Sequence, residues 1–277
     1  MTMMPLLSHL LPLRPGCLLM FGALALLSPA RPAWAQSKLG KVTAYPAGKD
    51  FNQIGSDARA VALADSVMQA MGGYDAWQKT RFIGWEFFGE QYQVWDKQTN
   101  DFRWQKGDLV LTGNLNSRTG KAYRAGQDIS ETEEGKKLLT NMYATWANNS
   151  WWLLMPFKLK DSGVKLVYKG TGNTVQGSPA RVVEMTFENV GVTPNNRYEL
   201  LISPRTYLVE EWAFYRNAAD AAPSFRRQWS DYRPYGRILL AANRSDGKDG
   251  RRLSNIAAAQ KVPAGYMQSP KPQPKLQ

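Results

Sequence analysis

The sequence predicts an α+β protein built on antiparallel sheet, and three observations predict it. Residues 56–71 repeat apolar side chains at helical spacing. From Arg81 onward the period shortens to two, with aromatic residues gathered in short segments. Turn residues separate those segments about every eight to twelve positions, which favours a sandwich or barrel over parallel βαβ units.

The chain opens on a leader. Arg14 precedes an apolar run from Cys17 to Leu27 that Ser28-Pro29 breaks, shorter than the roughly 20 apolar residues a bilayer span needs. Ala33-Trp34-Ala35 before Gln36 is the small-x-small pattern a signal peptidase accepts, so residues 1–35 read as a signal peptide cleaved after Ala35. The mature protein is then periplasmic or secreted, with no transmembrane segment. Cys17 stands at the start of the apolar run rather than its end, which excludes a lipoprotein acceptor.

Cleavage removes His9 and Cys17, the only histidine and the only cysteine of the 277 residues. It also removes Arg14 and Arg31 and no acidic residue, so the net charge of +12 falls by two. Without thiols the mature chain has no disulfides, and its stability has to come from a packed core. Imidazole-dependent serine or cysteine hydrolysis, zinc and copper sites, and disulfide exchange are closed to it. Carboxylate-pair hydrolysis, Ser-Lys chemistry and oxygen-ligated calcium stay open. The sequence holds no Asp-x-Asp-x-Asp-Gly loop, no Gly-rich phosphate loop after a strand and no Gly-x-Ser-x-Gly elbow. No cofactor, no metal and no catalytic residue are expected.

Residues 36–55, mixed and rich in Gly, Lys and Pro, read as an extended lead-in. A single domain follows over 56–262. Ser56 or Asp57 can cap its first helix, Val61, Ala64, Met68 and Met71 supply the apolar face, and Gly72-Gly73 ends it. Strands are expected at Phe82 to Gly89, Tyr92 to Trp95, Asp101 to Gln105 and Leu109 to Leu111, with Lys121 to Arg124 extending the meander. Ser130 and Glu133 have capping-box spacing ahead of a second helix with Leu138, Leu139, Met142, Tyr143 and Trp146 on its stripe. The most apolar stretch, Trp151 to Phe157, follows at once and reads equally as core or as a lid facing a ligand. Strands resume at Val164 to Lys169, Arg181 to Glu188, Arg197 to Ser203, Tyr207 to Tyr215, Phe225 to Tyr232 and Arg237 to Ala242. Composition alone predicts a disordered tail over 263–277, whose last ten residues are Pro, Lys and Gln without apolar period.

The helix ending in Gly72-Gly73-Tyr74-Asp75-Ala76-Trp77, then an aromatic meander, a helical insertion and a second antiparallel run resemble the LolA/LolB-like periplasmic lipoprotein-carrier fold. Asn149 to Leu159 and Phe187 to Pro194 are similar to a widespread, uncharacterised group of exported bacterial proteins. The resemblance implies an incomplete antiparallel β-barrel, a strongly curved sheet whose concave face is covered by helices and holds acyl chains. In that family a strand arginine latches the lid helices; Arg103 is the nearest candidate, but its local motif does not match and the role is not carried over.

Trp85, Trp104, Trp212 and Trp229 lie on strands in alternation, more aromatic bulk than a plain core requires. The expected apolar cavity and lid comprise Trp85, Phe87, Trp104, Trp146, Trp151, Trp152, Met155, Phe157, Met185, Phe187 and Trp212. The leading reading is a monomeric, non-catalytic carrier of lipid or lipoprotein acyl chains. A sensor module recognising a peptide or envelope protein comes second. A carboxylate-dependent glycan hydrolase using Glu86, Glu90, Asp96 or Asp101 comes third. Arg226-Arg227, Arg233, Arg237, Arg244 and Arg251-Arg252 crowd the late chain, a pattern suited to anionic headgroups or to a solvated basic face. Export argues against nucleic acid as the partner.

N-terminal sequencing of the protein recovered from the cell envelope should begin at or within a few residues of Gln36. An intact N-terminus, or a diacylated Cys17, would contradict the leader.

Overall fold

The computed structural model describes residues 41–188 and 190–277, so the leader and its cleavage site lie outside the described residues. The first helix forms where the apolar period predicts it: α1, Ala58–Ala70, buries Leu63, Ala64, Val67 and Met68. Its expected caps act elsewhere. Ser56 accepts from Leu166 N at 3.0 Å and Asp57 from Tyr168 N at 2.7 Å, so both side chains pin the helix start to a strand. A short helix α2, Tyr74–Lys79, continues from Gly73. Lys97 closes its C-terminal end, donating to Trp77 O and Thr80 O with its ammonium over the Trp77 ring. Burial lowers that ammonium to a pKa of about 8.

Six strands then run as an antiparallel meander: β1 Phe82–Phe87, β2 Gln91–Asp96, β3 Asp101–Lys106, β4 Leu109–Asn114, β5 Thr119–Arg124 and β6 Gln127–Asp128. Two helices follow, α3 Glu133–Thr140 and α4 Met142–Leu154, the latter running into a 3-10 turn at Met155–Phe157. The cap of α3 is Thr132, which accepts from Gly135 N, and not Ser130; the Ser130 hydroxyl is already committed to Asp128 at 2.6 Å. The second run is β7 Val164–Asn173, β8 Pro179–Phe187, β9 Arg197–Ile202, β10 Val209–Tyr215, β11 Phe225–Gln228, β12 Ser230–Tyr235, β13 Ile238–Asn243 and β14 Ser254–Ala259.

These strands form three open, curved antiparallel sheets and no closed barrel, where the sequence predicts one curved sheet. Sheet 1 has the order β14-β1-β2-β3-β4-β5-β6, sheet 2 the order β11-β10-β9-β8-β7, and β12-β13 is a separate ribbon. The division falls inside the segment expected as one strand from Phe225 to Tyr232. Trp229, fully buried, breaks it into β11 and β12, which belong to different sheets.

Register gives each sheet two chemically different faces. On sheet 1, Trp85, Phe87, Gln91, Gln93, Trp95, Phe102 and Trp104 share the inner face, toward α4. Phe82, Gly84, Glu86, Tyr92, Val94, Arg103 and Gln105 share the outer face. On sheet 2 the inner face carries Leu166, Val183, Met185, Phe187, Tyr198, Leu200, Trp212, Phe214 and Phe225. Helix α4 lies between the two inner faces. Trp146 meets Trp95 on one side, while Trp151 meets Phe187 and Tyr198 and Trp152 meets Trp212 and Phe225 on the other.

Arg244 ends α4. Its guanidinium is fully buried, donates to Trp152 O at 2.8 Å, Asn243 O at 2.7 Å and Ala241 O at 3.1 Å, and stacks 3.5 Å from the Trp229 ring. Burial lowers its pKa to about 9, still above neutrality, so a cation stands where the helix carbonyls point. A second buried cation, Lys160, donates to Asp65 of α1 at 2.8 Å and to Tyr45 O at 2.5 Å, tying the lead-in and α1 to the turn after α4.

The tail differs from the expectation of disorder: residues 263–277 lie against the outer face of sheet 1. Tyr266 and Met267 are buried with Phe82, Tyr92 and Val94, and Leu276 packs on the same cluster. Gly84 makes room for this. A Cβ there would stand 2.4 Å from the Tyr92 hydroxyl and 3.3 Å from Leu276.

Replacing Lys160 with Met should cost roughly 3–5 kcal/mol, because Asp65 would remain buried without its cation. The denaturant midpoint of the variant against the parent checks this; a loss below about 1 kcal/mol would mean the pair is not buried.

Candidate functional site

Where α3 and α4 cross the inner face of sheet 1 they leave an open groove of about 910 Å³, a volume in the range of pockets that hold small molecules. Its sheet wall is Phe87, Gln91, Phe102, Trp104 and Leu111. The helix wall is Leu138, Met142, Ala144 and Thr145, with Asn148 and Asn149 at one end. Glu133, Glu134 and Lys137 stand exposed at the rim. The meander builds this surface because every second residue of β3 and β4 must point to the helix side, and those that reach the groove, Phe102, Trp104 and Leu111, are aromatic or aliphatic.

One patch of the floor is polar. Trp104 Nε1 donates to Gln91 Oε1, and Asn149 Nδ2 donates to Gln91 Oε1 at 3.2 Å and to Gln93 Oε1 at 3.1 Å. The bonds fix the Trp104 ring and hold α4 at a set height above the sheet. Gln93 and Asn149 are buried, and the Gln93 amide nitrogen has no partner among the described residues.

Of the residues the sequence assigns to a cavity, Phe87 and Trp104 line this groove. Trp85 is fully buried on the same face beneath the helices. Trp146 packs against Trp95 and Tyr143. Trp151 and Trp152 form the seam to sheet 2, where Trp212, Phe187 and Met185 sit on its inner face. Met155 and Phe157 are buried in the 3-10 turn, with Phe157 stacked on Trp77 at 4.3 Å. The stretch Trp151 to Phe157 thus forms the end of α4 and its 3-10 turn, packed on sheet 2 and α2, and the groove is roofed by α3 and the first half of α4. Sequence reasoning does not single out Phe102, Leu111, Leu138, Met142 or Ala144 as wall residues. The alternation of β3 and β4 and the helical stripe through Leu138 and Met142 are the signals that could have done so.

The four suspected carboxylates do not meet. Glu86 pairs with Lys275 at 2.8 Å, Glu90 with Lys106 at 2.8 Å, Asp96 with Arg81 at 2.8 Å, and Asp101 accepts from Asn114 at 2.9 Å. The Lys275 ammonium holds the Glu86 carboxyl below the usual range. Among the described residues no three His, Cys, Asp or Glu side chains converge on a possible metal position. No described helix is long and apolar enough to cross a membrane. Most of the late arginines are paired: Arg226 with Glu211, Arg227 with Asp246 and Asp249, Arg233 and Arg252 with Asp231, and Arg251 with Asp249. Arg103 points away from the helices, to the outer face, so it latches nothing over the groove.

No family model matches the chain, and no curated protein matches it. Solved structures similar to it at low identity include the following three. A DUF1329 family protein from Desulfovibrio piger has a TM-score of 0.40 at 12% identity over 76% of this chain and 97% of that one. A domain provisionally assigned to outer membrane lipoprotein sorting, from Vibrio parahaemolyticus, has a TM-score of 0.33 at 10% identity over 68% of this chain and 87% of that one. MucB has a TM-score of 0.25 at 14% identity over 69% of this chain and 68% of that one.

Truncating Trp152 to Ala should lower stability by about 3 kcal/mol, the low end for a tryptophan because the ring is half-buried between sheets. Urea unfolding of the variant measures it, and an unchanged midpoint would place the ring outside the core.

Proposed function

We propose that the protein is an exported, non-catalytic binder of acyl chains, whether on a lipid or on a lipoprotein, and that the groove between sheet 1 and α3–α4 holds them. The observation that carries this is the groove itself. Phe87, Phe102, Trp104, Leu111, Leu138 and Met142 offer an apolar channel open to solvent on one side. Apolar surface left in contact with water is unfavourable at roughly 25 cal/mol per Å², and an alkyl chain lying in the groove would remove whatever part these largely buried residues expose. The rim suits the other end of such a ligand: Glu133, Glu134 and Lys137 are exposed at the mouth, where a polar headgroup stays wet. Nothing in the groove supplies a nucleophile activated by a base, which fits carriage rather than turnover. Export to the periplasm rests on the leader, and acting alone as a monomer is part of the same reading.

The test is uptake of a fluorescent fatty-acid analogue by the purified mature chain. Ala144→Trp, which places an indole in the groove from a half-buried wall position, should weaken uptake at least about tenfold, equivalent to about 1.4 kcal/mol, with little change in the denaturation midpoint. Trp152→Ala should show the reverse, losing stability more than affinity. A parent protein that takes up no apolar probe would overturn the carrier reading.

A further inference from the structure

The tail repeats proline at every second position: Ser269-Pro270-Lys271-Pro272-Gln273-Pro274-Lys275-Leu276. A residue before proline is restricted to extended backbone, and proline itself has no N–H to give. Such a segment therefore presents carbonyls at a fixed two-residue repeat and few donors. The outer face of sheet 1 is built to that repeat. Arg103 Nη1 donates to Ser269 O at 2.6 Å and its Nη2 to Lys271 O at 2.5 Å. Gln105, two residues along the same strand, donates to Gln273 O at 2.9 Å and accepts from Gln273 N at 3.0 Å. The three carbonyls so bound are those of the three residues that precede proline.

The remaining contacts fix the end of the segment. Tyr92 accepts from Leu276 N at 2.8 Å, Tyr266 donates to Pro274 O at 2.7 Å, and Lys275 meets Glu86. The Leu276 side chain completes the apolar cluster of Phe82, Tyr92 and Val94. Arg103 is 1% exposed and forms no ion pair among the described residues; its terminal nitrogens are met by the Ser269 and Lys271 carbonyls and, from Nη2, by Gln105 Oε1 at 3.4 Å. A buried guanidinium without a carboxylate is costly unless its donors are met, and here the tail meets one on each terminal nitrogen, while Nε has no partner among the described residues.

We propose that the outer face of β1–β3 is a binding site for extended peptides of alternating X-Pro pattern ending in a basic-aliphatic pair, occupied in cis by the chain's own C-terminus. Recognition runs through main-chain carbonyls and the proline spacing, so a partner protein's segment of the same pattern fits the same donors and competes with the tail. The cis segment has the advantage of tethering, with an effective concentration on the order of millimolar. A trans peptide therefore displaces it only near that concentration, or when part of a multivalent partner.

Hydrogen exchange on the full chain tests this. The Gln273 and Leu276 amides should be protected in the parent. Gln105→Ala and Arg103→Lys should each raise their exchange at least about tenfold, as expected for losing a hydrogen bond to a charged or paired donor. Lysine keeps the charge but not the two-pronged donor. Gln105 is half-buried, so its variant answers the question even if Arg103→Lys does not fold. A synthetic peptide of residues 268–277, added at millimolar concentration, should raise exchange of the same amides. The same peptide with Ala at positions 270, 272 and 274 should not. Unprotected tail amides in the parent, or protection that both peptides leave unchanged or change alike, would overturn the proposal.

Discussion

Helix α4 carries large apolar residues on more than one side, and the architecture follows from that constraint. A surface helix shows one apolar stripe, whereas Tyr143, Trp146, Trp151, Trp152, Leu153 and Leu154 surround this one. It has to be buried on two sides, and two sheets supply the two sides. The indoles of Trp151 and Trp152 fill the space toward sheet 2, and Trp146 packs on sheet 1. Asn149 reaches the floor through Gln91 and Gln93, which sets the helix off the sheet. Arg244 brings the β12-β13 ribbon to the end of the helix. The groove is what remains where α3 turns into α4 and the contact with the sheet is incomplete.

The two faces of sheet 1 solve the same problem differently. The inner face meets helices through large rings and leaves a space. The outer face meets a single extended strand of main chain, and its fit comes from hydrogen bonds placed at a repeat. Gly84 belongs to that fit, since only the lack of a side chain lets the Tyr92 hydroxyl cross to Leu276.

Much of this was legible in the sequence, and the exceptions have local causes. The strands of the meander are legible to within a few residues because short segments rich in aromatic and β-branched residues stand between turn residues. Strand β14 was invisible: Ser-Asn-Ile-Ala-Ala-Ala has low strand propensity, and it is a strand because Ala257 faces Gly84 and Ala259 faces Phe82. Asp57 and Ser130 hold the positions expected of caps but bind elsewhere, since a short polar side chain takes whichever free amide or hydroxyl tertiary structure brings nearest. Composition points away from an ordered tail because it reports only what a segment can bury by itself. Its partners are Arg103, Gln105 and Tyr92, far back in the chain, and no local window contains them. The groove was half legible for the same reason. Phe87 and Trp104 stand out as aromatic strand residues, but which aromatic rings border a space and which pack solidly is decided by where α4 lies.

The pairing of β14 with β1 has a consequence for the order of events in folding. Ser254–Ala259 must find Phe82–Glu86, and the tail must then reach β1–β3, contacts that span well over half the chain. Contacts so distant form late and slowly compared with hairpins. The β1-β2-β3-β4 hairpins can form from local contacts, yet their edge at β1 and their outer face stay bare until residues 254–276 reach them. Until those residues dock, sheet 1 keeps an unpaired edge and an uncovered apolar face, the state in which it is most open to pairing with another chain.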